Sequence, residues 1–264
     1  MKASKENVLV TGAGSGIGRE LAKLFLADGA RVWAVSLVEK ELDDLKRELA
    51  ASGDRLVTLP RDLSAPDAAK RLIETCDAAG FEIDALVNNA GFATFGDFVD
   101  TDSGRLEAMI ALNIVTLTNL CRIVGARMKA RGSGGILNVG SIAGMVPAAR
   151  FAAYGATKAY VNQFSFALRA ELRLYGVNVT CLTPGATQSG FAQAAGIATF
   201  DRFSMLKLLF ARRAASSPAH VARAGYRGFR KRHAQVLVGR GALTSGLVSH
   251  LLPLRILPAL LRHL

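Results

Sequence analysis

Val8-Leu9-Val10-Thr11-Gly12-Ala13-Gly14-Ser15-Gly16-Ile17-Gly18, followed by Arg19-Glu20-Leu21-Ala22-Lys23-Leu24-Phe25-Leu26, is the stretch that decides the fold. A short apolar run, a glycine-rich turn and a segment of helical periodicity make a strand–turn–helix unit. Such a unit turns backbone N–H groups and a helix N-terminus toward a diphosphate. The strict GxGxxG dinucleotide pattern is not met, because Ile17 stands where its third glycine would fall. Thr11-Gly12, Gly16 and Gly18 form a wider-spaced variant; the other reading of this loop is a glycine turn with no ligand.

Working outward, apolar strand-like runs recur at 8–10, 32–35, 56–59, 85–87, 135–139, 177–182 and 235–238. Helical patterns fill the gaps at 17–28, 39–51, 66–79, 103–130, 152–175 and 218–232. Ser217-Pro218 reads as an N-cap followed by proline in the first helical position. Alternation of this kind predicts an α/β fold, a doubly wound parallel sheet of about seven strands with helices on both faces. Repeats and low-complexity linkers are absent, so residues 1–264 read as one domain.

A second constellation carries chemistry. Tyr154 and Lys158 stand at helical i,i+4 spacing, with Ser141 upstream, so phenol and ammonium share one helix face. A nearby cation favours the phenolate and lowers the tyrosine pKa from about 10. A tyrosine so placed exchanges a proton with an alcohol or a carbonyl. The plain alternative for a Tyr/Lys pair on a helix is an amphipathic surface.

Together these residues resemble the short-chain dehydrogenase/reductase family, over about residues 6–240. The likeness rests on TGAGSGIG at 11–18, Asp62 after the third strand, Asn88-Asn89-Ala90-Gly91, and Pro184-Gly185 after the sixth strand. Asn113, Ser141, Tyr154 and Lys158 match the family's catalytic tetrad in order and spacing. The resemblance implies a Rossmann-type fold and hydride transfer between NAD(P)(H) and a substrate alcohol or ketone. Tyr154 is then the acid/base and Lys158 lowers its pKa and binds the nicotinamide ribose. Ser141 holds the substrate oxygen, and Asn113 holds a water that links Lys158 to solvent. A buried helix asparagine bonded to its own backbone is the other use of Asn113.

For the cofactor, the resemblance places Thr11, Gly12, Gly14, Ser15, Gly16, Ile17 and Gly18 at the dinucleotide. Gly12 and Gly16 would let the backbone approach the diphosphate, and Gly18 would allow close helix–strand packing. The adenine is assigned to Asp62 and the Leu63 backbone. Asp62 could instead cap a turn at the strand end. Asn88, Ala90 and Gly91 would border the ribose, with Asn89 structural. Tyr154 and Lys158 would reach the nicotinamide half, flanked by Pro184, Gly185 and Thr187; Ser189 departs from the threonine often found near there. NAD-dependent relatives carry an acid at the end of the second strand, where this chain has Ser36 followed by Leu37. Glu39 is expected to open the next helix and face solvent. NADP(H) is therefore favoured over NAD(H), with Arg19 or Lys40 supplying the positive charge that Ser15 and Leu37 lack.

Charge is concentrated at one end. The formal net charge is +12, and residues 200–264 hold 12 Lys/Arg against the single acid Asp201. All four histidines (His220, His233, His250, His263) lie in the same region. This argues against a Ser-His-Asp hydrolase built on the first three quarters of the chain. Lys and Arg there alternate with Leu and Phe and show no nucleic-acid reading motif, so no nucleic acid is expected as a partner. Cys76, Cys121 and Cys181 lack metal-ligand or disulfide spacing and read as buried small hydrophobes in a reducing compartment, with no metal site. A substrate loop at 186–216 and a Leu-rich, basic tail at 242–264 stand outside the regular count. The tail is too interrupted to span a bilayer, but it could lie on an anionic membrane, cover a cleft or seal an oligomer seam. Residues 1–7 do not form a signal peptide, so the expectation is a cytoplasmic protein, membrane-peripheral at most.

The branch-level likeness is to bacterial short-chain oxidoreductases akin to 3-ketoacyl and ketosteroid reductases. It implies an apolar small-molecule carbonyl or alcohol as substrate and a homodimer or homotetramer. An NAD-dependent retinol- or steroid-type alcohol dehydrogenase and a catalytically idle cofactor-binding regulator are the competing readings. The intact tetrad argues against the last.

Overall fold

The computed structural model describes residues 6–147, 149–188 and 215–239. Most of the expected substrate loop and the whole 242–264 tail lie outside these residues. Seven parallel strands form one sheet in the order β3-β2-β1-β4-β5-β6-β7. They are β1 (Asn7–Thr11), β2 (Arg31–Ser36), β3 (Leu56–Pro60), β4 (Ala85–Asn88), β5 (Gly134–Val139), β6 (Val177–Pro184) and β7 (Gln235–Val238). The strand order reverses between β1 and β4, which opens a crevice at the carboxyl ends of the strands, where such sheets bind ligands.

Alternate side chains leave the strands toward opposite faces. Val8, Val10, Val32 and Ala34 join one buried cluster with Leu21 and Phe25 of α1 (Gly16–Ala27), Leu42 and Leu45 of α2 (Glu39–Glu48), and Phe229 of a late helix. Leu9, Trp33, Val35, Leu86 and Ile136 join the other, against α3 (Ala68–Ala78), α5 (Leu117–Arg131) and α6 (Ala152–Arg173). Ser217 caps that late helix, α7 (Pro218–Arg230), by accepting from the His220 N–H at 3.2 Å, with Pro218 in its first turn as expected.

Two helices differ from the periodic reading. The second stops at Glu48 and passes into a tight turn, Ala50–Arg55, where Gly53 takes φ +52°. The long 103–130 helix is α4 (Ser103–Ile110) and α5 joined by a π-helical turn, Ala111–Thr116. The wider turn holds Asn113, whose side chain bonds both backbone groups of Phe92. By length and composition Ser103–Arg131 could cross a membrane, yet its Leu117, Leu120, Val124 and Met128 are buried in the core.

Candidate active site

The glycine turn between β1 and α1 is built for close backbone approach. Gly12 has φ +63° and Gly16 φ +56°, values that glycine alone adopts without strain. A Cβ on Gly12 would lie 2.7 Å from Asn89 Nδ2 and 2.8 Å from Ala90 Cα. Asn89 is structural, as expected: its Nδ2 donates to the carbonyls of Thr11 (3.0 Å) and Gly12 (2.9 Å). Thr11 Oγ1 donates to Val87 O at 3.2 Å and accepts from the N–H groups of Asn89 and Ala90, tying β4 to the turn. Helix α1 begins at Gly16, with Ser15 as an N-cap that makes no side-chain cap and with no acid in the first turn. Its N-terminal N–H groups thus keep their positive pole for an anion, while Ile17 packs on the core. The turn fits a dinucleotide diphosphate.

The rim at the end of β2 differs from expectation. Ser36 is there, buried, and Glu39 is exposed as anticipated; Lys40 is exposed too. Arg19, however, is committed elsewhere: its guanidinium pairs with Glu48 at 2.6 Å and donates to the carbonyls of Gly14 (3.1 Å) and Glu41 (3.3 Å). Its charge, assigned above to a 2′-phosphate, is met in this structure by the Glu48 carboxylate. Glu41, which the sequence reading passed over, packs against the turn. A Cβ on Gly14 would meet Glu41 Oε2 at 2.5 Å and Ser36 Oγ at 2.7 Å. Asp62 is exposed and its Oδ1 accepts from Ser64 N (2.8 Å) and Ser64 Oγ (2.6 Å), the turn-capping use. Leu63 is buried, and its carbonyl accepts from Thr116 Oγ1 at 2.7 Å.

Asn113, Ser141, Tyr154 and Lys158 come together at the carboxyl end of β4 and β5. Asn113 Oδ1 accepts from Phe92 N (3.3 Å), and its Nδ2 donates to Phe92 O (3.0 Å) and Thr157 Oγ1 (3.1 Å). Its side chain is therefore satisfied by a loop and by α6 instead of by its own helix. A Cβ on Gly91 would lie 2.8 Å from Asn113 Oδ1 and 3.6 Å from Lys158 Nζ, so glycine is needed where these three converge. Ser141 caps a short turn, Ile142–Gly144, by accepting from Ala143 N at 3.1 Å. With that lone pair engaged, its hydroxyl hydrogen bonds to the Tyr154 side chain.

Tyr154 is 7% exposed and Lys158 6%. Burial pushes the Tyr154 phenol above its ordinary value, and the Ser141 hydrogen bond pulls it back. Burial also pushes the Lys158 ammonium down to about 8, since both charged forms lose water. The expected depression of the phenol by Lys158 is not what dominates here. Lys158 Nζ donates to Val139 O at 2.8 Å and stands 6.0 Å from the Tyr154 ring centroid.

Asn88 is buried at the end of β4, donating to Asn138 Oδ1 at 2.9 Å. Pro184 closes β6; Gly185 N donates to Val238 O (2.7 Å), and Thr187 Oγ1 donates back to Gly185 O (3.1 Å). A third buried cluster, Ala93, Met109, Phe151 and Tyr154, packs with Phe92, Phe95, Leu106 and Ala143. The Phe95 and Phe151 rings are 5.0 Å apart, and the Phe151 and Tyr154 rings 5.7 Å.

A profile of the short chain dehydrogenase family matches residues 6–198. The chain belongs to that family. It is 37% identical over 190 residues to the probable oxidoreductase EphD of Mycobacterium tuberculosis, a match covering 72% of this chain and 32% of EphD. The chain thus spans about a third of the length of that relative. Ketoacyl reductase HetN of Nostoc is 28% identical over 94% of this chain and 83% of HetN. Among solved structures, a short-chain dehydrogenase from Sphingobium yanoikuyae in complex with NADPH superposes with a TM-score of 0.77 at 31% identity, covering 88% of this chain and 87% of that one. The family and the seven-stranded parallel sheet agree with the sequence reading.

Proposed function

We propose that this family member is an NAD(P)(H)-dependent oxidoreductase that interconverts a ketone and a secondary alcohol on an apolar substrate. The observation that carries the reading is the convergence of Ser141, Tyr154 and Lys158 at the carboxyl end of the sheet, beside an apolar cluster of Phe92, Phe95, Met109 and Phe151. A bound nicotinamide ring supplies or accepts the hydride. Tyr154 gives its proton to the carbonyl oxygen in reduction and takes it back in oxidation. Ser141 donates to that oxygen as charge develops on it. Lys158 holds positive charge near the phenol and binds the ribose hydroxyls, and Asn113 holds the water behind it. The apolar surroundings of Tyr154 suit an acyl, steroid-like or similar apolar substrate, in keeping with the ketoacyl reductase among the relatives. The cytoplasm is the compartment that fits three buried thiols, and contact with an anionic membrane rests on the 242–264 sequence alone. A screen of ketones and alcohols of graded chain length, read as cofactor consumption, tests the reading. No turnover on any of them would overturn it.

NADP(H) is the favoured cofactor in this reading, because Ser36 places a hydroxyl and no charge at the end of β2 and Lys40 stands exposed nearby. The NADPH in the Sphingobium structure points the same way. Glu41 opposes it through its carboxylate beside Gly14. NADPH is expected to bind more tightly than NADH, and Ser36→Asp to reverse the order by repelling the 2′-phosphate. Fluorescence titration of both cofactors decides, and tighter NADH binding by the parent protein would sink the preference.

The chain is also expected to self-associate through α4–α5 and α6, which present Ile110, Val115 and Tyr160 to solvent. Small residues on α6 (Ala152, Ala153, Ala156, Ala159, Ala167) permit close helix approach. Light scattering at micromolar concentration should give a particle at least twice the 27.9 kDa chain mass. A single-chain mass would refute the assembly.

A further inference from the structure

Asn162 plays no part in the chemistry described above, yet it is 6% exposed and its amide lies directly beneath Ser141. It follows Tyr154 and Lys158 at i+8 and i+4, so one stripe of α6 carries all three. Its Nδ2 donates to the Ser141 carbonyl at 3.0 Å, while its Oδ1 accepts from Cys181 Sγ at 3.5 Å. The thiol fixes which way the amide faces and leaves the NH2 end for Ser141. A Cβ on Gly140 would run into Asn162 Oδ1, so the glycine before the serine admits the amide.

The segment Val139-Gly140-Ser141 is thus held at three successive residues. Lys158 Nζ donates to the Val139 carbonyl at 2.8 Å, Gly140 N donates to Leu182 O at 2.8 Å, and Asn162 takes the Ser141 carbonyl. Two of these ties come from α6, the helix that bears Tyr154. The turn after Ser141 lies tight on the same helix, with Gly144 against the backbone of Lys158 and Ala159. Helix and serine therefore move as one body.

We infer that Asn162 is a positioning residue that fixes the Ser141 hydroxyl against the Tyr154 phenol through its hydrogen bond to the Ser141 carbonyl. The inference rests on the proposed roles of Ser141 and Tyr154. Displacing a reacting group by a fraction of an ångström to an ångström costs up to about 10²-fold in rate. Because the Ser141 hydrogen bond favours the ionised phenol, its loss also raises the pH at which Tyr154 can act as a base. The other titratable groups near it are Lys158 on the same helix and Cys181 on β6; Asn162→Leu takes the Oδ1 acceptor from the Cys181 thiol, and Asn162→Asp sets a carboxylate beside it.

The test uses the full chain with a ketone or alcohol found active in the screen. Asn162→Leu removes the donor, and Asn162→Asp keeps the shape but turns an acceptor toward the carbonyl; the second decides if the first fails to fold. Each is expected to lower kcat by about 10-fold or more, with KM and the fluorescence-measured cofactor affinity held. The acid limb of the alcohol-oxidation pH profile should move to higher pH. In a Ser141→Ala background the same substitutions should have little further effect, because they act through the serine. Unchanged kcat, or a full additional loss on top of Ser141→Ala, would overturn the inference. Tyr154→Phe is run beside them: if it stays fully active the catalytic reading itself falls, whereas an inactive Tyr154→Phe with an active Asn162 variant removes only the role of Asn162.

Discussion

Tyr154→Phe is expected to lower turnover by at least ~10²-fold, the loss typical of removing a positioned acid or base. The change deletes one oxygen and little else. The ring keeps its packing in the cluster with Met109 and Phe151, and Lys158 keeps its bond to the Val139 carbonyl. Cofactor affinity should therefore stay near the parent value. Ser141 loses the partner for its proton and would still meet a substrate oxygen, so substrate binding should weaken less than catalysis. Steady-state kinetics on a substrate from the chain-length screen, with a parallel cofactor titration, separates the two quantities. A variant of near-full activity would show that the proton comes from another group.

What could be read from the sequence was whatever one element carries by itself. The strands announce themselves because Val8, Leu9 and Val10 serve both faces of a sheet covered on each side, as a buried parallel strand must. Tyr154 and Lys158 are four apart on one helix, so their common face follows from helix geometry alone. The glycine turn is legible for the same reason. Features made by elements meeting in space were not. Arg19 sits in the motif, but its commitment to Glu48 depends on how α1 packs beside α2. Glu41 reaches the turn only because α2 folds back over Gly14. The π-helical turn at 111–116 answers to the Phe92 backbone, which lies on another segment. The Tyr154 phenol was expected to be lowered by its cation, but burial outweighs a charge whose ammonium is turned toward Val139. Asn162 could have been found, since it continues the Tyr154–Lys158 stripe by one more turn.

Gly18→Ala is expected to abolish dinucleotide binding in the micromolar range and to destabilise the fold. A Cβ at this position would fall on the Gly12 carbonyl oxygen and on Asn89 Nδ2. The first is backbone and cannot swing aside. The second is the amide that holds the Thr11 and Gly12 carbonyls at 3.0 and 2.9 Å. One methyl group therefore pushes α1 away from the turn and breaks the contacts that shape it. Overpacking of this kind costs roughly 1–3 kcal/mol, and the geometry that meets the diphosphate goes with it. Gly53→Ala is the matched control. Gly53 has φ +52° and ψ −136° and nothing within 4 Å of its added Cβ, so the same methyl meets no neighbour and only a backbone strain of roughly 1–3 kcal/mol for a conformation that favours glycine. Thermal unfolding should register both variants, whereas cofactor titration should register Gly18→Ala alone. Parent-like cofactor affinity in Gly18→Ala would mean that the turn between β1 and α1 does not hold the dinucleotide.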